Sequence, residues 1–242
     1  MAHCELTHLE RREIDIALAR KHHVAYEQAL RAAGCDVRQL SEEPDLPDSV
    51  FVEDTVIVVD EVAVLTRPGA ASRRGEADSM AQALAAFRKL LRIEAPDTLD
   101  GGDVLRLDRV VHVGVTTRSN PEGIAQLRQL LAPFDYRVEA VRLQGCLHLK
   151  SAVTQVASDL LLVNPDWVDP QNFPGYRTMA VHPDEPSAAN ALLVGDRVLY
   201  SASFPRTAGL LQKAGIDVHT VDMSETEKAE GAVTCCSVIF TA

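Results

Sequence analysis

FVEDTVIVVDEVAVLT, residues 51–66, holds two runs rich in β-branched residues on either side of the polar pair Asp60-Glu61. Such runs, broken by two turn-forming residues, predict a tight hairpin of 51–59 against 62–66. Just downstream, Met80, Leu84, Phe87 and Leu91 recur at three- and four-residue spacing, which predicts a helix over about 75–91. A short extended piece over 92–94 leads out. The same order then returns: Val104–Leu107 with Val110–Val115 around Asp108-Arg109, a helix over Pro121–Leu131, and a strand over 136–143. A third copy has a hairpin over 152–163 around Ser158-Asp159, a Pro-rich helix over 165–173 and a strand over 177–181. The fourth has a hairpin over 191–201 around Gly195-Asp196, a helix over 205–214 and a strand over 216–221. The turns at 60, 108, 158 and 195 lie 48, 50 and 37 residues apart. No single unit of this kind can bury its own apolar face, so serial repetition predicts packing into a ring or stack.

The ends supply a fifth unit in two pieces. A helix over 12–33, stopped by Gly34, precedes an expected strand over 35–40, the second half of a unit. The run 233–240 reads as a lone strand, the first half. No β-run stands before Thr7, so the unit closed by both termini is one strand short; either the natural start lies upstream or this unit is incomplete. The expected fold is α/β: one domain over 1–242, five ββαβ units in a ring.

Composition bounds the function. The 242 residues carry 24 Lys+Arg against 35 Asp+Glu, a formal net charge of −11, and 46% are apolar. That is too apolar for intrinsic disorder. Five cysteines are too few, and odd in number, for a disulfide scaffold. An acidic surface repels phosphate backbones and anionic membranes but attracts a small cation. Charges at Glu5, Glu10, Arg11, Arg12, Glu13 and Asp15 interrupt any signal-peptide core, and no apolar run reaches the roughly 18 residues of a membrane span. A reducing cytoplasm is the expected compartment.

Several residues stand out against this frame. Glu53-Asp54 lies within an apolar run expected to be strand, where neighbouring side chains face opposite sides. At least one carboxylate thus points inward, at a cost unless a cation meets it, or escapes at a strand end. Asp100-Gly101-Gly102-Asp103 permits a tight bend with close backbone approach, or is an ordinary turn with solvated aspartates. His148, between Leu147 and Leu149, is a core histidine or a catalyst. His22-His23 diverge on a helix and read as surface, and no zinc-type His/Cys spacing is present. Cys235-Cys236 reads as two buried small hydrophobes or as a nucleophile with its neighbour. Arg67, Arg73, Arg74 and Arg118 punctuate hairpin ends, where they are solvated or bind a substrate carboxylate bidentately.

Together, PDSVFVEDTVIV (47–58), LTRPGAASRRGE (65–76), LDGGDVL (99–105), LHLKS (147–151), SAAN (187–190) and TCCSV (234–238) resemble the dimethylarginine dimethylaminohydrolase family of guanidine-modifying enzymes. The resemblance runs from about Cys4 to Phe240. It implies a five-bladed ββαβ propeller, the pentein fold, with its site on the axis, the same architecture that the repeats predict. It also implies Cys235 as nucleophile, His148 as general acid/base and Asp100 as the carboxylate orienting that histidine. Glu53 and Asp54 would hold the substrate guanidinium, and Asp48, Arg73 and Arg118 its amino-acid end. Leu6 and Ala229 would contribute main-chain contacts. The implied reaction releases citrulline from Nω-methylated arginines and needs no metal or organic cofactor. The implied partner is a small cationic amino acid, and the open edge of the short unit favours a homodimer. Arginine deiminases of this fold typically carry an inserted helical domain, for which no segment here is long enough. An amidinotransferase, or a binding protein for arginine-like ligands, would share much of the same pattern.

Overall fold

The computed structural model describes Met1 and residues 3–242. In chain order its helices and strands are α1 (Ile16–Ala32), β1 (Val56–Val58), β2 (Val62–Leu65), α2 (Ala77–Leu84), β3 (Lys89–Arg92), β4 (Val104–Leu107), β5 (Val110–Val115), α3 (Pro121–Leu131) and β6 (Arg137–Arg142). There follow α4 (Leu149–Ala152), β7 (Val153–Ala157), β8 (Leu160–Val163), β9 (Arg177–Ala180), β10 (Ala191–Val194), β11 (Arg197–Ser201), α5 (Pro205–Lys213), β12 (Asp217–Val221) and α6 (Ser224–Glu227). Among the described residues the strands form four three-stranded sheets, β1-β2-β3, β4-β5-β6, β7-β8-β9 and β10-β11-β12. In each, a hairpin pairs antiparallel and the third strand joins the second in parallel. A parallel neighbour requires a crossover, and α2, α3 and α5 supply three of them. In the third repeat a single 3-10 turn, Pro170–Asn172, stands where the Pro-rich helix was expected.

The chain divides into two compact units. One comprises residues 40–150 and 235–242, the other 1–39 and 151–234. In the first, Val62, Val64, Val111, Val113, Ile124, Leu127 and Leu131 share one apolar core. The last three fall on one face of α3, whose start is fixed by Asn120, accepting the Gly123 N–H at 2.8 Å, and by Pro121 at the first position. In the second unit, Leu162, Val198, Tyr200 and Leu211 anchor another core. The sheets β7-β8-β9 and β10-β11-β12 are stitched there by Thr154, whose hydroxyl donates to Ala189 O at 2.6 Å and accepts from Ala191 N at 3.0 Å.

Several expected boundaries move. The helix expected over 75–91 ends at Leu84, and Leu91 belongs to β3, because parallel pairing of Lys89 to Arg92 with β2 claims that backbone. The front of the 51–59 strand is a 3-10 turn, Val52–Thr55, so Glu53 and Asp54 do not alternate across a sheet. Neither 35–40 nor 233–240 is a strand. Residues 233–236 form a turn whose backbone has other partners: Tyr26 donates its hydroxyl to Val233 O at 2.7 Å, and Thr234 N–H donates to Asn190 Oδ1 at 3.1 Å. Cys235-Cys236 therefore sits in a turn rather than a strand, and His148 in a bend that opens α4. His22 is buried, not a surface residue, with Nε2 3.4 Å from Asp222.

Candidate active site

A short helical turn precedes the hairpin in three successive repeats: Val52–Thr55 before β1, Gly101–Asp103 before β4, and α4 before β7. Glu53 and Asp54 lie on the first, Asp103 on the second with Asp100 at its N-cap, and Lys150 on the third, with His148 just ahead of it. All belong to the unit 40–150 with 235–242. The paired glycines let the first two turns meet closely. A Cβ on Gly101 would stand 2.0 Å from Glu53 O, and one on Gly102 would stand 2.6 Å from His148 Nδ1 and 2.7 Å from Asp54 Oδ1.

His148 is buried between two buried carboxylates. Its Nε2 lies 3.2 Å from Asp100 Oδ2, and its Nδ1 faces Asp54 Oδ1 at 3.9 Å. Asp100 is completely buried; its Oδ1 accepts the Gly69 N–H at 2.8 Å, and its own N–H donates to Ser119 Oγ at 3.0 Å. Burial drives the imidazole toward neutrality, but the charges of Asp54, Asp103 and Asp100, with the hydrogen bond the ring donates to Asp100, outweigh it and raise His148 to about 9. A protonated ring there can deliver a proton to a departing amine.

Asp54 accepts from Arg73 Nη1 at 2.6 Å and from the Gly102 N–H at 2.9 Å. Burial pushes its carboxyl up, yet the facing His148 charge, the Arg73 charge and hydrogen bond, and the Gly102 amide hold it down at about 2. Arg73 is buried as well, against the expectation of a solvated hairpin end. Its Nε and Nη2 fork onto Glu76, and Nη2 also donates to Phe51 O at 3.1 Å. Burial alone would lower the guanidinium; Asp54 and Glu76 reverse that and raise it. Glu53 meets Lys150 Nζ at 2.5 Å, and its N–H donates to Cys235 O at 3.1 Å, tying the turn that carries both carboxylates to the turn that carries the cysteine.

Cys235 is partly exposed while Cys236 is buried. Burial, with Glu53 and Asp54 nearby, pushes Cys236 up to about 12, an unreactive thiol. Asp48 is buried next to the same arginine, Arg73 Nη2 reaching its carbonyl at 3.5 Å. Arg118 is buried with its backbone against Gly69, where a Cβ would come within 2.6 Å of its Cα. Leu6 and Ala229 belong to the other unit. There Thr7, His8 and Leu9 N–H groups donate to the Glu230 carboxylate at 2.8, 2.5 and 2.6 Å, next in sequence to both residues.

Sequence inspection missed Glu76, Asp103 and Lys150 as members of this network. Asp103 is buried behind His148, accepting from Thr116 Oγ1 and Ser119 Oγ at 2.6 Å each and from Leu149 N–H at 3.1 Å; burial raises it to about 6. The Arg73–Glu76 spacing, i to i+3, was the one available signal for Glu76. Single donor atoms of Asp54, Asp100 and His148 lie within 4.8 Å of one another, close enough to surround a small ion. Each already faces a hydrogen-bond partner, so an ion would have to displace those bonds. The arrangement suits proton transfer beside a carboxylate-lined cation site.

The chain matches the family model for eukaryotic N,N dimethylarginine dimethylhydrolase over residues 5–173. An N(G),N(G)-dimethylarginine dimethylaminohydrolase of Streptomyces coelicolor is 42% identical over 235 residues, spanning 96% of this chain and 90% of that protein. Its counterpart in Pseudomonas aeruginosa is 36% identical over 228 residues, spanning 93% and 90%. A solved structure of the Pseudomonas aeruginosa enzyme, a cysteine-to-serine mutant complexed with citrulline, superposes with a TM-score of 0.91 at 34% identity, covering 96% of this chain and 91% of that one. An amidinotransferase of Microseira wollei, at 18% identity and a TM-score of 0.83, shares the fold over 91% of this chain and 82% of that one.

Proposed function

The chain belongs to the dimethylarginine dimethylaminohydrolase family, and from that premise we propose that it hydrolyses Nω-methylated arginines to citrulline and dimethylamine or methylamine. The observation that carries the chemistry is His148, held between Asp100 at 3.2 Å and Asp54 at 3.9 Å, with the turn that bears Asp54 hydrogen-bonded through Glu53 N–H to the Cys235 carbonyl. A guanidinium is a poor electrophile because resonance spreads its charge. Gripping it by the Glu53 and Asp54 carboxylates keeps that charge in place and favours a thiolate at Cys235. The Cys235 sulfur then bonds to the guanidinium carbon. His148 protonates the departing amine as its C–N bond breaks, leaving an S-alkylthiouronium on the cysteine. His148, now neutral, takes a proton from water; the hydroxide oxygen adds to the same carbon, the C–S bond breaks as the hydroxyl proton passes to solvent, and citrulline leaves with the thiolate and the protonated His148 restored.

Asp100 orients the imidazole, and its buried, hydrogen-bonded setting supports that role. Asp48, Arg73 and Arg118 are assigned to the amino-acid end of the substrate, with Leu6 and Ala229 contributing main-chain contacts. The net charge of −11 favours approach of such a cation. The four repeats of hairpin and parallel strand support a propeller-like arrangement, and we infer a single five-bladed domain in which α1 and the terminal segments make up the fifth unit. A cysteine nucleophile suits a reducing compartment, and the protein is assigned to the cytoplasm; no described helix is long and apolar enough to cross a membrane.

The test supplies asymmetric dimethylarginine, monomethylarginine and arginine separately and measures citrulline. Turnover of the methylated substrates that Cys235→Ser abolishes in a folded protein is the expected result. Turnover of arginine alone, or activity retained by Cys235→Ser but lost in Cys236→Ser, refutes the assignment.

A further inference from the structure

Glu76 occupies the N-cap position of α2, yet its side chain does not cap that helix. It turns back one turn to Arg73, taking Nε at 3.2 and 3.1 Å on its two oxygens and Nη2 at 2.8 Å. Both partners are buried. This bidentate fork fixes the plane of the guanidinium, which a single contact would leave free to rotate about the long arginine stem. The atom left pointing away from the fork is Nη1, and it lies 2.6 Å from Asp54 Oδ2. The other oxygen of Asp54 faces His148. One line of contacts thus runs from Glu76 through Arg73 and Asp54 to His148 and Asp100.

We propose that Glu76 is a positioning residue for the reaction: it locks the Arg73 guanidinium so that Nη1 orients Asp54 opposite His148. This rests on the function proposed above. The charged groups that face Glu76 are the Arg73 guanidinium and the Asp48 and Asp54 carboxylates; Asp78, on its own helix, is exposed and turned to Arg92 at 3.8 Å. Burial and the two like charges raise Glu76 to about 7 against the pull of Arg73, so the fork is ionic on the alkaline side of neutrality and weakened on the acid side.

Glu76→Gln keeps the shape and removes the charge. Wild-type kcat for asymmetric dimethylarginine is expected to rise as pH climbs through about 7. The Gln variant is expected to lack that rise and to run about tenfold or more below wild type on the alkaline side, with KM moved less than kcat. Glu76→Asp, which retains a carboxylate at a different distance, is expected to restore a rise at a displaced pH. The His148 ring titration, followed by NMR, reads the same line of contacts without turnover and is expected to fall in Glu76→Gln. A folded Gln variant with the wild-type pH profile and an unmoved His148 titration overturns the inference. Should the Gln variant not fold, an undisplaced rise in Glu76→Asp overturns it instead. A wild-type chain that yields no citrulline overturns the function, while the His148 titration still decides the role of Glu76.

Discussion

Replacing Asp54 with Asn should lower the pKa of His148 by a large and measurable amount. Nδ1 and Oδ1 stand 3.9 Å apart in a buried setting. Unit charges at about 4 Å attract by about 4 kcal/mol at an effective dielectric constant of about 20, which corresponds to about 3 pKa units. Relaxation of the site trims this, so a fall of about 1–3 units is expected. It starts from about 9 and moves toward or below the ordinary 6.5, because burial remains and the Arg73 charge is no longer matched by Asp54. An NMR titration of the His148 ring in wild type and Asp54→Asn measures this directly. Stability follows the same linkage. The folded pKa of His148 lies above its unfolded value, so the stabilisation is complete below 6.5 and is lost as pH rises through about 9. Across that window the loss is roughly 3 kcal/mol in wild type and much smaller in Asp54→Asn. The attraction is the same one that holds Asp54 at about 2, and it counts once. A folded Asp54→Asn protein whose His148 titrates within about half a unit of wild type refutes the assignment of Asp54 as its chief electrostatic partner.

Gly102→Ala places a methyl 2.6 Å from His148 Nδ1 and 2.7 Å from Asp54 Oδ1, both on buried side chains. It should cost about 1–3 kcal/mol in urea unfolding and abolish most citrulline formation, whereas wild-type stability and rate would contradict the packing described. Tyr26→Phe removes the hydroxyl that donates to Val233 O at 2.7 Å and leaves that buried carbonyl without this donor. A loss of about 1–2 kcal/mol in the same urea experiment is expected. Brief iodoacetamide treatment at neutral pH, read by mass spectrometry, should alkylate Cys235 and spare Cys236, whose thiol is buried and raised to about 12. Glu230→Gln should speed hydrogen exchange at the Thr7, His8 and Leu9 amides, which now share one charged carboxylate; unchanged exchange would show that the carboxylate does not hold this segment.

The four hairpins were legible because their causes are local. Val56-Ile57-Val58 and Val62–Leu65 are β-branched or apolar on either side of a two-residue turn, and no distant partner is needed to bend the chain there. Helix α3 announced itself for the same reason, with Asn120, Pro121 and the spacing of Ile124, Leu127 and Leu131 all within twelve residues. The terminal runs 35–40 and 233–240 misled because a strand exists only if another chain segment pairs with it. Residues 35–40 are exposed or only partly buried, and the buried Val233 and Cys236 sit in a turn, which hides apolar side chains as well as a strand does.

The motifs around Glu53-Asp54, DGGD, His148 and Cys235 were sufficient to point at guanidine chemistry and to place the chain in its family. What they could not determine was which charge meets which. Arg73 could be solvated or bind a substrate carboxylate, and only the fold turns it inward onto Asp54 and Glu76. His148 could be a core histidine, and only the meeting of turns 48 residues apart in sequence sets Asp100 on its Nε2, with Asp54 opposite. The protonation state of a buried group is set by the neighbours within a few ångströms that replace its water. Residue type and turn chemistry are properties of short stretches, so the sequence alone determined them. Burial, pairing and pKa belong to the assembled neighbourhood, and the tertiary structure alone decided those.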